Sequence, residues 1–363
     1  LKKFLFKSST LIIHGRESEF PKSAHYCNHF AVDYLCSMNT YDIFNIHNED
    51  EFNQMALTIY HFQKEHNKVY GEFLKLSHHY DKPIQHYSEI VSLPIEFFKT
   101  QKVIVEQQTP QLVFESSGTT GQKISRHFVV DVELYRQSFL KGFTWFYGDP
   151  VDWTFLALLP SYLEKPNSSL VFMMKGLMEA SESPYNGFIL NEVENLSDRI
   201  KKAKTWRQGK VLLIGVSYAL WDLAEKYPQN LQGIIVMETG GMKGRRKEIT
   251  RSQLHEILCQ SFGLEKIHSE YGMTEMLSQA YSQGEGLFKT PPWLRAYFTE
   301  PDDPFSLAKP GKTGLINVVD LANIYSCSFI ATSDLGRFTI NGQFEIIGRH
   351  DLAELRGCNL MLW

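Results

Sequence analysis

The sequence predicts an α/β fold in which a mainly parallel sheet is covered by helices and is followed by a smaller β-rich subdomain. Between residues 101 and 310, short strand patterns alternate with helical patterns, and this alternation is typical of parallel sheets with helices on both faces. After residue 310, strand and turn patterns continue without helices. The chain has 363 residues, 43% of them hydrophobic, which is enough for two domains or for one domain with subdomains.

The first hundred residues are expected to form a mostly helical region, 1–100, packed on the core. Residues 49–77 predict a helix, because apolar side chains recur there at intervals of three and four residues, as at Phe52, Met55 and Ile59. The part before residue 48 has a weaker pattern and many aromatic side chains, which favours packed irregular structure.

The core, 101–310, contains strands and helices in alternation. Runs rich in leucine and β-branched residues predict strands at 103–108, 112–116, 128–130, 153–160, 210–216 and 233–239. Helical patterns lie between or after them, at 132–146, 169–180, 217–227 and 249–262. In the β-rich subdomain, 311–363, strands are predicted within 313–321, 326–338 and 343–349.

Charge and composition argue against several classes of function. The net charge of −4 and the pI near 6.4 give no electrostatic reason to expect nucleic acid as a partner. No apolar stretch approaches the roughly 20 residues that cross a bilayer, and the start of the chain does not have the pattern of a signal peptide. Five cysteines form no CxxC pair and show no metal-ligand spacing, which favours reduced thiols. We therefore expect a cytoplasmic protein.

Glycines and small hydroxyl residues are concentrated in FESSGTTGQKIS, residues 114–125. A strand at LVFE would lead into the loop SSGTTG, where glycines allow close backbone approach and successive N–H groups form an anion-binding concavity. Lys123 and Arg126 follow and would offset negative charge. A phosphate-bearing ligand fits this chemistry, although the segment matches neither the Walker A pattern nor GxGxxG. A flexible polar turn is the alternative interpretation.

Three further motifs follow the loop, SEYGMTE (269–275), TSDLG (332–336) and GRHDLAELRG (348–357). With SSGTTG, their order and rough spacing resemble the adenylate-forming superfamily of acyl- and aryl-CoA ligases and luciferases. LPIEFFKT (93–100) and LLPSYLEKPNSSLVFM (158–173) resemble one branch of it, the acyl-protein synthetase of bacterial bioluminescence (long-chain-fatty-acid–luciferin-component ligase). The resemblance covers roughly residues 50–363.

The resemblance implies the fold of the N-terminal domain of adenylate-forming enzymes, with a nucleotide- and acyl-binding core at 101–310. Because the chain ends six residues after Gly357, close to the hinge motif, the C-terminal domain with its catalytic lysine is expected to be absent or a stub. The implied activity is ATP-dependent conversion of a carboxylic acid, by this resemblance a fatty acid, to an acyl-adenylate, followed by transfer to a thiol. This is an AMP-forming acid–thiol ligase of the acyl-protein synthetase type, with ATP and Mg2+ as cofactors.

The resemblance also implies how the nucleotide is bound. The loop would hold the β- and γ-phosphates of ATP through Ser117, Gly118, Thr119, Thr120 and Gly121. Tyr271 would pack on the adenine opposite the backbone of Gly240 and Gly241. Asp334 would accept hydrogen bonds from the ribose hydroxyls, and its alternative role is that of a turn-capping aspartate.

The remaining implied residues lie at the reacting phosphates and at the hinge. Thr274 would reach the α-phosphate, and Glu275 would bind Mg2+. Arg349 would contact ribose or phosphate, while Asp351 would lie at the hinge. For Glu275 the alternative is a solvated carboxylate at the start of a helix. Lys123 is displaced by one position from the lysine of the family's phosphate loop, so we assign it no role.

Cys358 lies in RGCNLMLW, directly after the hinge motif. An acyl-protein synthetase passes the acyl group to its own cysteine near the C-terminus and then to a reductase subunit, so the resemblance implies that Cys358 is acylated. Arg349 or Arg356 would lower its pKa and favour the thiolate. The alternative is a small residue of an apolar tail. The expected partners are a carboxylic acid and an acyl-accepting protein such as a reductase subunit, or CoA, with no nucleic acid and no membrane span.

Other functions stay open at this point. Transfer to CoA or to an amine, as in phenylacetate-CoA ligases and their relatives, uses the same adenylate chemistry, and a non-catalytic nucleotide-binding subunit is a further alternative. GVSYA (215–219) nearly matches the GxSxG elbow of serine hydrolases, which would use Ser217 with Asp320 or Asp334 and with His350. The plainer interpretation is that this serine caps the helix that follows it.

Overall fold

Helices flank a mixed sheet of 12 strands in the described part of the chain. The computed structural model describes residues 39–116, 123–160, 167–189, 193–242, 245–339 and 342–350. Within these ranges the α-helices are α1 (Glu49–His66), α2 (Lys68–Leu76), α3 (Phe97–Thr100), α4 (Val132–Tyr147), α5 (Ser169–Ser181), α6 (Leu196–Ala203), α7 (Ser217–Lys226) and α8 (Arg251–Phe262). The strands are β1 (Leu93–Pro94), β2 (Leu112–Glu115), β3 (Arg126–Val129), β4 (Trp153–Leu158), β5 (Gly187–Phe188), β6 (Lys210–Val216), β7 (Ile235–Thr239), β8 (His268–Tyr271), β9 (Ala280–Ser282), β10 (Leu287–Lys289), β11 (Leu294–Thr299), β12 (Gly314–Asp320), β13 (Phe329–Phe338) and β14 (Phe344–Arg349).

The sheet changes from parallel to antiparallel at β8. Its strand order is β11-β12-β13-β14-β10-β9-β8-β7-β6-β4-β5, with β1 beside β13. The neighbours from β5 to β8 are parallel, and the neighbours from β8 to β11 are antiparallel. β2 and β3 form a separate antiparallel hairpin. The strands predicted after residue 310 therefore continue the sheet of the core.

The parallel strands β4 and β6 are buried along almost their whole length. All six residues of β4 are buried, and in β6 only Lys210 is partly exposed. Strands covered on both faces need apolar side chains at every position, so their sequences form continuous apolar runs instead of alternating patterns. This is why the strand predictions at 153–160, 210–216 and 233–239 are confirmed: the strand at 210–216 has the predicted bounds, and the other two are two residues shorter.

Several helices begin and end where short side chains or a glycine satisfy the terminal backbone groups. Asn48 and Asp131 accept hydrogen bonds from N–H groups of the first turns of α1 and α4. Thr250 forms a capping box at α8, which ends at Gly263 in a left-handed conformation. In the part of the chain described above, no helix combines the length and the apolar content needed to cross a bilayer.

The single helix predicted over 49–77 is two helices, α1 and α2, separated by Asn67. The backbone of Asn67 is extended, its side-chain oxygen caps α2 by accepting from Tyr70 N, and its Nδ2 donates to Ser326 O at 2.7 Å. The apolar spacing continues through the break, so periodicity alone does not reveal it. A buried asparagine that pairs with a distant carbonyl produces the separation.

The strand predicted at 103–108 is not formed. Val105 N donates to Tyr325 O and Glu106 N donates to His66 O, while Gln107 has a φ of 61° in a turn. Because these partners belong to different elements, no ladder of hydrogen bonds develops. The β-branched residues of this segment instead pack as irregular structure, with Val103 and Val105 buried.

Residues 320–328, which we call the anchor segment, connect α1 to the core. Gln63 Nε2 donates to Asn323 O at 2.9 Å and to Ile324 O at 2.7 Å, and Gln63 Oε1 accepts from Ser328 N at 2.9 Å. Gln63 is fully buried. An unpaired buried polar group is unfavourable, so this set of hydrogen bonds fixes the position of α1 on the anchor segment.

Candidate functional site

The parallel strands β6, β7 and β8 end at one edge of the sheet, and residues assigned from the sequence follow these ends. Gly240 and Gly241 come directly after β7, while Thr274 and Glu275 lie in the loop 272–279 between β8 and β9. Ligands of open α/β sheets bind beyond the carboxyl ends of parallel strands. Gly240 has a φ of 68°, and a Cβ atom added to Gly241 would meet no described atom within 4 Å, so this backbone borders open space.

Tyr271, Asp334 and Arg349 form one connected group. The Tyr271 hydroxyl donates to Asp334 Oδ2 at 2.9 Å, and Arg349 Nε lies 3.4 Å from Asp334 Oδ1 across the β13–β14 pair. Burial, together with the neighbouring Asp334 carboxylate, raises the pKa of Tyr271 well above its usual value, so the phenol remains a hydrogen-bond donor. The Arg349 side chain is 79% exposed, so its guanidinium is accessible to a ligand.

Glu275 is buried beside the two ends of the glycine-rich loop. Its carboxyl accepts a hydrogen bond from Ser125, and Ser125 N in turn donates to Ser116 Oγ at 2.9 Å. Ser116 and Ser125 flank residues 117–122. Burial raises the pKa of Glu275, whereas Ser125, Lys99 and Arg349 act in the opposite direction. The flanks of the loop thus reach the carboxylate that the sequence assigns to Mg2+.

Side chains from other elements hold the backbone of loop 272–279. His127 Nδ1 donates to Thr274 O at 2.8 Å, and Asn323 Nδ2 donates to Glu275 O at 2.7 Å. The Asp320 carboxylate accepts from Leu277 N, Ser278 N and Ser278 Oγ at 2.8, 3.0 and 2.6 Å. The loop that contains Thr274 and Glu275 is therefore fixed at both carbonyls and two amides.

Sequence reasoning did not assign these holding residues. His127 and Asn323 carry no motif of their own, and Asp320 entered only as a hydrolase candidate. A weak signal exists, because a histidine within the strand RHFV and an aspartate at the end of the apolar strand GLINVVD are polar residues in buried positions. Buried polar groups need partners, but the sequence does not say which ones.

The serine of the GVSYA elbow lies in a buried polar cluster, and no described histidine forms a hydrogen bond with it. Ser217 Oγ donates to Gly240 O at 2.9 Å and to Glu238 Oε2 at 3.1 Å. Ser217 is the first residue of α7 and makes no capping hydrogen bond to that helix, so the capping interpretation is wrong. A hydrolase needs a base that accepts the serine proton, and here a carboxylate and a carbonyl take that position.

Two carboxylates share this cluster. Glu238 on β7 is paired with Arg251 Nε at 2.8 Å, and Glu270 on β8 accepts a hydrogen bond from the Thr239 hydroxyl. Burial opposes ionisation of Glu238, but Arg251 together with His255 and Ser269 lowers its pKa to about 2. Burial, and secondarily the nearby Glu238 charge, raises the pKa of Glu270 to about 7.

Glu270→Gln is expected to stabilise the fold at alkaline pH. The folded state keeps the Glu270 proton up to about pH 7, whereas the unfolded chain releases it near pH 4.5, so wild-type stability falls as pH rises through this window. Glutamine keeps the shape without the charge and removes this loss, which corresponds to about 3 kcal/mol at pH 8. Urea unfolding of wild type and Glu270→Gln at pH 5 and pH 8 measures the difference between their free energies of unfolding. An equal difference at both pH values would contradict the raised pKa of Glu270.

Several assigned residues lie outside the described residues. These are Ser117, Gly118, Thr119, Thr120 and Gly121 of the loop, Asp351 of the hinge motif, and Cys358. Their roles stay predictions. Of the described residues, Tyr271 and Arg349 each contact Asp334, and Arg349 also acts electrostatically on Glu275.

The polar groups at this edge of the sheet fit ATP with Mg2+. In nucleotide sites Mg2+ is bound by one or two carboxylates together with phosphate oxygens, and Glu275 is a carboxylate whose ionised form is disfavoured by burial and would be stabilised by a cation. Asp334 uses one oxygen for Tyr271 and the other for Arg349, and each carboxylate oxygen can accept a further hydrogen bond. The open backbone at Gly241 suits a flat base.

Neither a protein-family model nor a curated protein matches the sequence. Among solved structures, 2-hydroxyisobutyryl-CoA ligase in the postadenylation state with 2-HIB-AMP is similar, with a TM-score of 0.58 and 13% identity over 84% of this chain and 68% of that one. ATP-bound MatB from Rhodopseudomonas palustris gives a TM-score of 0.50 and 16% identity over 68% of this chain and 49% of that one.

These similarities establish the fold. At identities of 13 and 16%, the common feature is the α/β architecture of the N-terminal domain of adenylate-forming enzymes, and the fold class predicted from the sequence is confirmed. The alignment spans about half of the length of the MatB chain. The activity of the whole protein is therefore inferred from the site.

Proposed function

We propose that this chain binds ATP and Mg2+ and converts a carboxylic acid to an acyl-adenylate with release of pyrophosphate. The observation that carries the proposal is that three features lie together at one edge of the sheet. The flanks of the glycine-rich loop reach Glu275, Tyr271 of β8 is joined to Arg349 through Asp334 on the β13–β14 pair, and Gly240 and Gly241 border open space. The similarity of fold to ATP- and adenylate-bound ligase structures supports it.

The nucleotide would be oriented by groups along this edge. The adenine would lie between the Tyr271 ring and the Gly240–Gly241 backbone, and Asp334 would accept the ribose hydroxyls. The triphosphate would extend toward the loop 117–121. Mg2+ bound by Glu275 would offset phosphate charge, which lowers the electrostatic barrier to attack by an anion.

The reaction itself needs positioning and charge stabilisation from the protein. An oxygen of the substrate carboxylate forms a bond to the α-phosphorus, the bond from that phosphorus to the bridging oxygen breaks, and pyrophosphate leaves with the electron pair. Thr274 would hydrogen-bond the α-phosphate, and the exposed Arg349 would stabilise charge on ribose or phosphate. Such contacts are most effective when they are fixed before the reaction, as the held backbone of loop 272–279 allows.

The second step is proposed to transfer the acyl group to a thiol, with Cys358 as acceptor and a partner protein or CoA as the next one. A fatty acid is the proposed substrate, on the resemblance of the sequence to acyl-protein synthetases. The adenylate carbonyl would be attacked by the thiolate, a thioester bond would form, and AMP would leave. CoA or an amine as the direct acceptor remains the alternative.

Acid-dependent exchange of labelled pyrophosphate into ATP tests the first step. We expect exchange that requires both Mg2+ and one member of a panel of carboxylic acids, with long-chain fatty acids included. ATP binding without exchange for every acid would favour the non-catalytic nucleotide-binding subunit. Failure to bind ATP would overturn the proposal.

Labelled acid tests the second step. With ATP present, label is expected to remain on the denatured protein and to be lost in Cys358→Ser. Cys259→Ser is the matched control, because Cys259 is a half-buried cysteine on α8 outside the site. Label that persists in Cys358→Ser would remove this cysteine from the mechanism and leave the adenylation step unaffected.

A further inference from the structure

Ser217, the serine of the hydrolase-like pattern, is bonded to backbone that borders the open edge of the sheet. Its Oγ donates to Gly240 O at 2.9 Å, and the residue is buried. Ser217 directly follows β6 and Gly240 directly follows β7, so this bond joins the carboxyl ends of two neighbouring parallel strands. A buried hydroxyl that holds this carbonyl restricts rotation of the peptide unit between Gly240 and Gly241.

The orientation of this peptide unit determines which backbone group faces the open edge. The peptide is trans, so the Gly240 carbonyl and the Gly241 N–H point in opposite directions. Ser217 holds the carbonyl toward the buried cluster, and the N–H is therefore turned away from that cluster. No described group accepts from the Gly241 N–H. Gly241 is exposed, and a Cβ atom added there would meet no described atom within 4 Å, so a ligand can approach this donor.

Glu238 and Arg251 hold the hydroxyl of Ser217 in place. Glu238 Oε2 lies 3.1 Å from Ser217 Oγ, so one hydroxyl hydrogen serves two acceptors, and the contact to Gly240 O is the shorter of the two. Arg251 Nε donates to the other carboxylate oxygen of Glu238 at 2.8 Å. Because this carboxylate has a charged donor of its own, the serine hydrogen remains available to the carbonyl.

The same ion pair supports the other side of the proposed adenine site. The guanidinium carbon of Arg251 lies 5.0 Å from the centroid of the Phe288 ring, and the Phe288 ring packs against Tyr271 with their centroids 6.0 Å apart. Glu238 thus contacts the serine that holds Gly240, while Arg251 contacts the phenylalanine that packs on Tyr271. One ion pair therefore connects the two surfaces between which the adenine would lie.

We infer that Ser217 is a positioning residue for the nucleotide base, because it holds the peptide between Gly240 and Gly241 so that the Gly241 N–H donates to the ligand. Adenine suits this donor, since its ring nitrogens accept hydrogen bonds. Ser217 itself touches no substrate and acts only through the backbone. The orientation of the peptide rests on the geometry, whereas the identity of the ligand rests on the proposed function.

Calorimetric titration with ATP, AMP and inorganic tripolyphosphate tests the positioning role. Ser217→Ala removes the donor to Gly240 O, so the peptide is free to rotate, and the Kd values of ATP and AMP are expected to rise roughly 3- to 10-fold. The Kd of tripolyphosphate, which has no base, is expected to stay unchanged. Ser217→Thr keeps a hydroxyl and is expected to restore tight binding of ATP. Equal weakening of all three ligands, or of none, would overturn the inference.

Ser181→Ala is the matched control. Ser181 is also a buried serine whose Oγ donates to a backbone carbonyl, that of Trp153 at 2.5 Å. Trp153 is the first residue of β4, so this bond lies at the opposite edge of the parallel strands. The Kd of ATP is expected to be unchanged in Ser181→Ala. If Ser181→Ala and Ser217→Ala weaken ATP equally, the effect is a general loosening of the fold and the positioning role is wrong.

The Gly241 amide gives a direct readout of the proposed donor. In protein labelled with 15N-glycine, the Gly241 resonance is assigned by its loss in Gly241→Ala. This resonance is expected to move downfield when AMP is added to wild type, as an amide does when it donates to a ligand. A Gly241 resonance that stays in place at saturating AMP would overturn the donor role.

The outcomes separate this inference from the proposed function. If wild type binds ATP but shows no pyrophosphate exchange with any acid, adenylation fails, and the binding data for Ser217→Ala still decide the inference. If wild type catalyses exchange and Ser217→Ala binds ATP normally, the inference fails and adenylation stands. If Ser217→Ala does not fold, Ser217→Cys, which is close in size and has only a weak donor, is expected to show the same selective weakening of ATP and AMP.

Discussion

Glu275→Gln is expected to lower acid-dependent pyrophosphate exchange roughly 100- to 1,000-fold while the fold becomes more stable. Glutamine keeps the size of the side chain and an oxygen that accepts from Ser125, but it lacks the charge proposed to bind Mg2+ beside the phosphates. Since burial raises the pKa of this carboxyl, its ionised form is unfavourable in the free protein, and a neutral amide removes that penalty. Exchange assays and thermal unfolding on the same samples measure both effects.

A matched control distinguishes the loss of the metal ligand from the loss of any carboxylate. Glu345→Gln changes a carboxylate on β14 that pairs with Arg337 at the sheet surface, and exchange is expected to stay within about twofold of wild type. The thermal shift produced by ATP should depend on Mg2+ in wild type and lose that dependence in Glu275→Gln. Exchange at the wild-type rate in Glu275→Gln would remove this residue from metal binding.

Asp320→Ala is expected to cost about 3 kcal/mol or more of the free energy of unfolding. The fully buried carboxylate accepts from Leu277 N, Ser278 N, Ser278 Oγ and Ala322 N, and alanine removes the acceptor of these three buried amides, whereas Ser278 Oγ keeps its contact with Ser138 Oγ. Burial raises the pKa of Asp320, and these hydrogen bonds lower it. The ionised carboxylate therefore needs its donors, just as the donors need the carboxylate. Urea unfolding at neutral pH measures the loss.

Asp303→Ala is the control for Asp320. Asp303 also accepts from a hydroxyl and a backbone N–H, those of Ser306 and Phe305, but in an exposed turn where water can replace it. The unfolding midpoint of Asp303→Ala is expected to stay close to that of wild type. If Asp320→Ala has the same midpoint as Asp303→Ala, the network around loop 272–279 does not contribute to stability as argued.

Strands covered on both faces and helices with local caps could be predicted from the sequence. β4 and β6 form uninterrupted apolar runs because both of their faces are buried, and α4 is preceded by a capping aspartate. These signals are local: each depends on residues within a few positions of one another. The same locality explains the errors at Asn67 and at 103–108, where partners from 40 to more than 200 residues away, His66, Tyr325 and Ser326, decide the conformation.

The site could be predicted only in part, for the same reason. Motif order identified Tyr271, Asp334 and Arg349, and the structure brings these three into contact, although their binding roles stay predictions. The residues that hold the loop, His127, Asn323 and Asp320, come from other strands and turns and show no periodicity or spacing relative to Glu275. Their contribution depends on a tertiary contact, which one sequence does not encode in a readable pattern.

The hydrogen bonds of Gln63 to the anchor segment restrict how this protein can be shortened. A fragment beginning at residue 101 would expose the carbonyls of Asn323 and Ile324 and the amide of Ser328 to solvent, at the turn that supports Glu275. Removing α1 would therefore disturb the backbone that positions Glu275, even though none of the α1 residues is proposed to touch substrate. Truncated versions made for crystallisation or for biochemical reconstitution should keep this helix.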